Sequence, residues 1–317
     1  MDNCSKYKEF DGIFGIWAER PQFPHPANLF IIPDAEGLAM IDVGTGGPAG
    51  EKHLLDALAH WGFQPEALHT VVLSHAHPDH MGAMTFLAET VNPRVLVHRL
   101  DAAAALDPEE LNRTFDMVLC RDRGAQFIDY ALMGPDELLV FFERVGCPMG
   151  SAREVESLDE GAVIAPGGFE FTLIHTPGHS PGHMSLYDPN RRLLLPGDVV
   201  GRHPAWYAPS AGGLTGYLDG LARLESLDVD LILPAHGPIP EDPHAAIRAV
   251  RDELLDREAR ILEALAHGPL ASNDLNRLLF PEPIMNYFPG TGMVESHLIK
   301  LEEEGRIIRS KERVELV

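Results

Sequence analysis

Cysteine is scarce in this sequence, with three in 317 residues at Cys4, Cys120 and Cys147. Their number is odd and none has the CxxC spacing, which argues against a disulfide framework and favours a reducing, cytoplasmic setting. The N-terminus, "MDNCSKYKEFDG", lacks the apolar core of a secretory signal peptide. No run approaches the roughly eighteen consecutive apolar residues of a transmembrane helix. The sequence therefore predicts a cytoplasmic protein with no membrane span.

Positive charge is also in short supply. The chain has 25 Lys and Arg against 48 Asp and Glu, a formal net charge of -23. Such an excess opposes non-specific binding to nucleic acid or to anionic membranes. We therefore expect a small-molecule substrate, with neither nucleic acid nor a membrane as partner. Histidine is the abundant ionisable residue, with 16 copies.

Apolar runs and helical spacings alternate along the first 240 residues. Residues 28–44 contain two apolar runs around the turn "PDAEG", which indicates a hairpin. Residues 49–62 carry leucines at helical spacing, and the strand "TVVLSH" follows at 70–75. Further strands are predicted within 162–179 and 184–198, then a helix at 216–227 and a last strand at 230–237. This alternation predicts an α/β sandwich.

Two segments differ from this pattern. Residues 101–150 are mostly helical and separate two strand-rich blocks, so we interpret them as an inserted helical cap beside the site or as a packing insertion. Residues 244–317 contain a long helix, two shorter helical patterns and a terminal "IIRSKERVELV" that can form a hairpin. The sequence therefore predicts a domain at 1–243 and a small winged-helix-like domain at 244–317.

Four strand ends carry side chains that bind metals. They read "SHAHPDH" (74–80), "TPGHSPGH" (176–183), "LPGDVV" (195–200) and "PAHGP" (234–238). Imidazole nitrogen and carboxylate oxygen bind Zn²⁺, and also iron or manganese. His75 and His77 suit one ion, Asp79 and His80 suit a second, and the Asp198 carboxylate can bridge the two. With His179 and His236, seven ligands suffice for two divalent cations, for which we expect Zn²⁺ with Fe or Mn as alternatives.

The pattern HxHxDH followed by a distant His, Asp and His resembles the metallo-β-lactamase superfamily over residues 12–240. The resemblance implies an αββα sandwich and a division of ligands between the two ions. By that scheme the first metal is held by His75, His77 and His179, the second by Asp79, His80 and His236, with Asp198 bridging. It also implies that Asp42, in "IDVG", supports the site from behind. His183, four residues after His179, either hydrogen-bonds within the site or serves packing and loop structure.

The metal pair implies hydrolysis without a covalent intermediate. Two cations lower the pKa of a bridging water to roughly 7, and the resulting hydroxide attacks a carbonyl or phosphorus atom. Asp79 is expected to orient this hydroxide and to deliver a proton to the leaving group. Trp206, Tyr207 and Phe288 are aromatic residues for which core or surface packing is favoured over lining the pocket.

The substrate is less defined than the reaction. "TPGHSPGH" followed by "GD" is similar to the glyoxalase II-like branch, which implies a thioester, with an ester or lactone as related substrates. Lactonases carry a tyrosine soon after the bridging aspartate, whereas Tyr207 lies further on. The tail resembles the winged-helix extension of lactamase-like proteins, some of which cut RNA, but its basic residues are diluted by glutamates. The alternative functions are therefore a nuclease or phosphodiesterase that acts on RNA, and a diiron redox or regulatory protein. The tail itself is expected to be a structural or dimer-forming lid over the site.

Overall fold

The structure is a computed structural model that describes residues 6–17, 26–122, 138–201, 203–282, 285, 289–310 and 313–317. Within these ranges the chain forms two large β-sheets, one small hairpin and helices on both outer faces. Cys147 is buried and free of a disulfide, while Cys4, Phe288 and the side chain of Cys120 lie outside the described residues.

The first sheet has seven strands, which neighbour one another in chain order. They are β1 (Tyr7–Phe10), β2 (Ile13–Ile16), β3 (Leu29–Pro33), β4 (Leu38–Ile41), β5 (Leu68–Val72), β6 (Arg94–His98) and β7 (Glu156–Leu158). The strands from β1 to β4 pair antiparallel, and those from β4 to β7 pair parallel. The predicted hairpin at 28–44 is thus the β3–β4 pair.

The second sheet has five strands, again adjacent in chain order. They are β8 (Val163–Ile164), β9 (Phe171–His175), β10 (Met184–Asp188), β11 (Leu193–Leu195) and β12 (Leu231–Ile232). Of the pairs in this sheet, β11–β12 is parallel and the others are antiparallel. The last strand is shorter than the predicted 230–237, because the chain turns away after Ile232 into the segment that carries His236.

Three groups of helices accompany the sheets. The first is α1 (Gly47–His60), α2 (Pro78–Met81) and α3 (Met84–Thr90). The second, inside the predicted insertion, is α4 (Ala102–Leu106), α5 (Leu111–Thr114), α6 (Met117–Asp122) and α7 (Leu138–Arg144); residues 123–137 of that insertion lie outside the described part. The third is α8 (Gly213–Glu225), α9 (Pro243–Leu265), α10 (Ser272–Leu279) and α11 (Gly290–Glu303), before a hairpin of β13 (Ile307–Arg309) and β14 (Val314–Leu316).

Three apolar clusters fix the order of the layers. Leu54 and Leu58 of α1 are one helical turn apart, and they pack with Met40 and Val71 on the outer face of the first sheet. A second cluster joins the facing sides of the two sheets, with Ile32 of β3 and Leu186 of β10 among its members. A third covers the outer face of the second sheet with residues from α8, α9 and the tail. The order is therefore helix, sheet, sheet, helix, which confirms the predicted αββα sandwich.

The C-terminal helices share the third cluster with the sandwich. Leu254 of α9, Leu275 of α10 and Leu298 of α11 belong to the same buried set as Leu194 of β11. The predicted boundary at residue 243 falls at the start of α9, which packs directly on α8. The winged-helix-like assignment stays a prediction. In the described residues no helix is both long and apolar enough to cross a bilayer.

A buried polar contact ties α11 to the sandwich. The Tyr207 hydroxyl donates to Nε2 of His297 at 2.7 Å and accepts from Nη1 of Arg257 at 3.4 Å. Burial, with the positive charges of Arg257 and Lys300 nearby, lowers the pKa of His297 to about 3, so its ring is neutral and can accept the hydroxyl proton. Tyr207 is fully buried here, in agreement with the packing role that the sequence favoured.

We expect Tyr207→Phe to lower the free energy of unfolding by about 1–3 kcal/mol, because the ring still fills its space while the buried Nε2 of His297 loses its partner. Arg257 loses a longer bond and keeps its bond to Glu253. Urea unfolding followed by circular dichroism measures this. Tyr187→Phe is the matched control, since its hydroxyl donates to the Asp228 carbonyl near the surface, where water can replace it. The control should lose about 1 kcal/mol or less. Equal losses in the two variants would contradict a special role for the Tyr207 contact.

Candidate metal site

Three of the predicted ligands form a first cluster at the ends of β5 and β9. His75 and His77 lie in the loop after β5, and His179 lies in the loop after β9. Their nearest ring nitrogens all lie within 4.8 Å of one another, with 3.2 Å between Nε2 of His75 and Nε2 of His179. All three side chains are buried. Burial, followed by the neighbouring imidazoles, lowers the pKa of His75 and His77 well below the ordinary histidine value. The two rings are therefore neutral, which is the state in which imidazole binds a metal.

The other four predicted ligands form a second cluster beside it, with ligand atoms again within 4.8 Å of one another. Asp79 and His80 belong to α2, and His236 follows β12. Nε2 of His236 lies 3.2 Å from Oδ2 of Asp79 and 3.4 Å from Oδ1 of Asp198. His236 and Asp79 are the more accessible members, with side chains 26% and 17% exposed. This cluster therefore opens toward solvent, whereas the first is closed.

The charge balance also separates the two clusters. Burial alone would lower the pKa of His80, but the carboxylates of Asp198, Asp42 and Asp79 raise it well above its usual range. For His236, burial is likewise outweighed by Asp198 and Asp79, which raise its pKa to about 10. The carboxylates thus create a negative site that favours positive charge on whatever binds there.

Asp198 joins the two clusters. Its Oδ2 lies 3.2 Å from Nε2 of His179 in the first cluster. Its Oδ1 lies 3.1 Å from Nε2 of His80 in the second. The two oxygens of one carboxylate therefore face different clusters, which is the placement that a bridging ligand requires.

Asp42 lies directly behind His80. Nδ1 of His80 donates to Oδ2 of Asp42 at 2.8 Å, which directs Nε2 toward the cluster. The backbone N–H and hydroxyl of Ser74 also donate to this carboxylate, each at 2.8 Å. Asp42 has a φ of 57°, a left-handed conformation that is uncommon outside glycine and that aspartate tolerates better than most residues. The geometry is that of a carboxylate that sets the tautomer of a ligand histidine.

His183 contacts Asp198 through the backbone. Its Nε2 accepts the N–H of Asp198 at 3.0 Å, so its Nδ1 carries the proton and donates to the Thr176 hydroxyl at 2.8 Å. Burial, together with His179, lowers the pKa of His183 well below the usual value, which keeps it neutral. Of the two roles left open by the sequence, this contact corresponds to hydrogen bonding within the site.

An aromatic wall closes one side of the first cluster. Nδ1 of His179 donates to the backbone carbonyl of Trp206 at 2.6 Å. The Trp206 ring stacks on Phe115 with 4.2 Å between centroids, and the centroid of Phe115 lies 4.6 Å from that of His77. Trp206, for which the sequence favoured packing over lining the pocket, therefore lies beside the site. Phe115 is the residue after α5, so part of the predicted insertion lies there as well. Sequence reasoning missed Phe115, because no local pattern shows where an insertion folds back.

Two buried polar residues were also missed. Asn28 donates from Nδ2 to the carbonyls of Pro234 and Gly237 at 2.8 and 3.1 Å, on either side of His236. Asp101 contacts the loops that carry the first cluster. One signal could have found Asp101, since it follows an apolar strand, β6, just as the predicted ligands follow theirs.

Comparison with known proteins shows which family the chain resembles. The profile of the Metallo-beta-lactamase superfamily matches residues 23–236, which is more than half of the chain. Among curated proteins, the chain is 25% identical over 260 residues to the "Probable metallo-hydrolase YqjP" of Bacillus subtilis, which covers 78% of each protein. It is 27% identical over 245 residues to the human "Acyl-coenzyme A thioesterase MBLAC2", covering 71% of this chain and 78% of that protein.

Solved structures show the same fold. The metallo-beta-lactamase family protein TTHA1429 of Thermus thermophilus superimposes with a TM-score of 0.80 at 22% identity, over 97% of this chain and 99% of that one. The superposition therefore spans the C-terminal helices as well as the sandwich. The match of the family profile, with the curated metallo-hydrolase and thioesterase relatives, shows that the chain belongs to the metallo-beta-lactamase superfamily, as a metal-dependent hydrolase.

Proposed function

We propose that this protein is a dinuclear hydrolase of a small acyl thioester, with esters and lactones as related substrates. The observation that carries the proposal is the position of Asp198, whose two carboxylate oxygens face two separate ligand clusters. In the proposed assignment His75, His77 and His179 hold the first cation, Asp79, His80 and His236 hold the second, and Asp198 bridges them. Zn²⁺ is the favoured ion, because imidazole-rich sets with carboxylate are typical of zinc, although iron and manganese accept the same ligands.

The residues fit such ions. Within the described part of the chain, Nε2 of His77 is buried without a hydrogen-bond partner. Oδ1 of Asp198 is buried too, and no N–H is directed at it although Nε2 of His80 lies 3.1 Å away. Burying such atoms unpaired is costly, unless something absent from the protein chain itself satisfies them. The Nε2 atoms of His80 and His236 face each other 3.3 Å apart, so they too call for a group that binds both nitrogens. A cation in each cluster would satisfy these atoms together.

Bound cations would supply Lewis acidity toward the substrate carbonyl and would acidify the attacking water. The protein's own residues supply the rest of the chemistry. The partly exposed Asp79 carboxylate is positioned to hold the attacking water and to accept its proton. As the new C–O bond forms and the C–S bond breaks, Asp79 can pass that proton to the leaving thiolate. Phe115 and Trp206, whose rings lie beside His77, supply an apolar surface for the acyl group.

The thioester preference rests on two supports. The "TPGHSPGH" loop that carries His179 is similar to that of the glyoxalase II-like branch, and MBLAC2, a relative, is named an acyl-coenzyme A thioesterase. The net charge of -23 does not favour RNA, because binding a long nucleic acid depends on many contacts between basic side chains and phosphates.

A panel of acyl thioesters, lactones, esters and phosphodiesters, assayed with the metal-free protein and after defined addition of Zn²⁺, Mn²⁺ or Fe²⁺, tests this function. We expect acyl thioesters to give the highest kcat/KM, with activity restored by Zn²⁺ and removed by a chelator. The matched control is the Asp198→Ala protein under each condition. RNA cleavage that depends on Asp79, with no thioester turnover, would instead support a nuclease.

A further inference from the structure

Asp101 is a buried carboxylate that the proposed chemistry does not use. It lies three residues after β6, where the insertion begins, and is 1% exposed. Its Oδ2 accepts the N–H of Ala76 at 3.1 Å and the hydroxyl of Ser180 at 2.7 Å. Its Oδ1 accepts the N–H of Gly182 at 2.6 Å. Among the described residues, no lysine or arginine forms an ion pair with it, so these hydrogen bonds are what compensates its burial.

The three donors belong to the two loops that carry the first cluster. Ala76 lies between His75 and His77, while Ser180 and Gly182 follow His179. These loops are 104 residues apart in the chain, as measured from His75 to His179. One carboxylate therefore links the loop of two ligands to the loop of the third.

The loop after β9 is shaped to reach this carboxylate. A Cβ atom on Gly182 would lie 2.7 Å from Cγ of Asp101 and 2.7 Å from its backbone nitrogen. Real side chains essentially never approach so closely, so the bond to Oδ1 requires glycine at this position. Gly182 and Asp101 therefore pack closely against each other.

We propose that Asp101 is a positioning residue that holds the two loops together, so that His75, His77 and His179 present their nitrogens to a single cation. The proposal rests on the proposed function. Hydrogen bonds of this kind, one step removed from a metal, commonly change metal affinity by about 10–100-fold.

Asp101→Asn is the sharpest test, because it keeps the shape and removes the charge. The carboxylate accepts on both oxygens, but an amide has one acceptor and one donor group. In either orientation its NH₂ faces a backbone N–H, of Ala76 or of Gly182, and that bond is lost. Starting from metal-free protein, we expect Zn²⁺ competition against a chromophoric chelator to show one of two ions bound about 10–100-fold more weakly. Co²⁺ absorption should report altered coordination for that same ion.

Asp188→Asn is the matched control. Asp188 is also 1% exposed and accepts three backbone N–H groups, from Glu170, Asn190 and Arg191, at 2.9, 2.9 and 3.1 Å. It lies at the end of β10 remote from His183, with Arg191 as an additional charged neighbour at 4.0 Å. This variant should lose stability and keep both metal affinities within about twofold of the wild type. Ser180→Ala, which removes one bond on the His179 loop alone, provides a milder test if Asp101→Asn does not fold, with an expected weakening between wild type and Asp101→Asn.

The outcomes separate the two proposals. If the wild-type protein binds no divalent cation, the proposed function is wrong. If the wild type binds two ions and both Asp101→Asn and Ser180→Ala bind them equally tightly, only the positioning role is wrong. If Asp188→Asn weakens metal binding as much as Asp101→Asn does, the effect reflects general stability and the positioning role is again overturned.

Discussion

Replacing Asp198 with alanine is expected to abolish hydrolysis and to reduce the bound metal of both clusters. Asp198 is the residue whose oxygens face His179 on one side and His80 on the other. Alanine removes a ligand atom from each cluster and the negative charge between them. Without that charge, two nearby cations repel each other in a partly desolvated site. Turnover should fall by at least about 10³-fold, as expected when both the electrophile-activating and the nucleophile-activating groups are lost.

Metal analysis of the purified protein, alongside the thioester assay, measures this result. His98→Ala is the control, because His98 is a buried histidine outside both clusters. Its ring stacks on His175 with 4.3 Å between centroids, and burial, followed by the nearby His175, lowers its pKa to about 4. Its loss should leave metal content unchanged. An Asp198→Ala protein with two metals per chain and full turnover would show that the ligand assignment is wrong.

The two clusters of candidate ligands could be anticipated from sequence because each candidate follows a short apolar strand. Buried strands such as β5 have a clear apolar signature, and the side chains just beyond them must lie at a sheet edge. Once strand ends share an edge, residues as distant as His80 and His236 meet without any local signal. The α/β class was recoverable from the alternation of strand and helix patterns, whereas the αββα order of the layers came from the family resemblance.

Contacts made by the insertion and the tail were not recoverable in this way. Phe115 reaches the site through the path of the chain after β6, which depends on packing over long sequence separations. Asp101 follows a strand as the candidate ligands do, but nothing in the local sequence shows that it bonds to two distant loops. The tail helices were predicted from their apolar spacing, but nothing in that spacing indicates that His297 meets Tyr207. The strand β1 was also missed, because its polar sequence, "YKEF", carries little of the apolar alternation that marks a strand.

Replacing Asp79 with asparagine distinguishes the two roles assigned to this residue. As a ligand, Asp79 belongs to the second cluster only, with Oδ2 3.2 Å from Nε2 of His236 and 3.7 Å from Nε2 of His80. The first cluster contains no atom of Asp79. Asparagine keeps the shape but removes a charge and a basic oxygen. We therefore expect one metal per chain in place of two, and a loss of turnover of about 10²–10⁴-fold, typical of removing a positioned acid–base group.

The metal contents of Asp79→Asn and Asp198→Ala, measured side by side, test which cluster each of the two residues serves. The bridging variant should lose metal from both clusters, while Asp79→Asn should keep the ion of the three histidines. Asp56→Asn serves as the control, because Asp56 is an exposed partner of Lys52 on α1 and should change neither property. If Asp79→Asn retained two ions but lost turnover, proton transfer would be its role and ligation would not. Wild-type turnover would contradict both roles, because a group that neither binds the metal nor moves the proton is not required for the reaction.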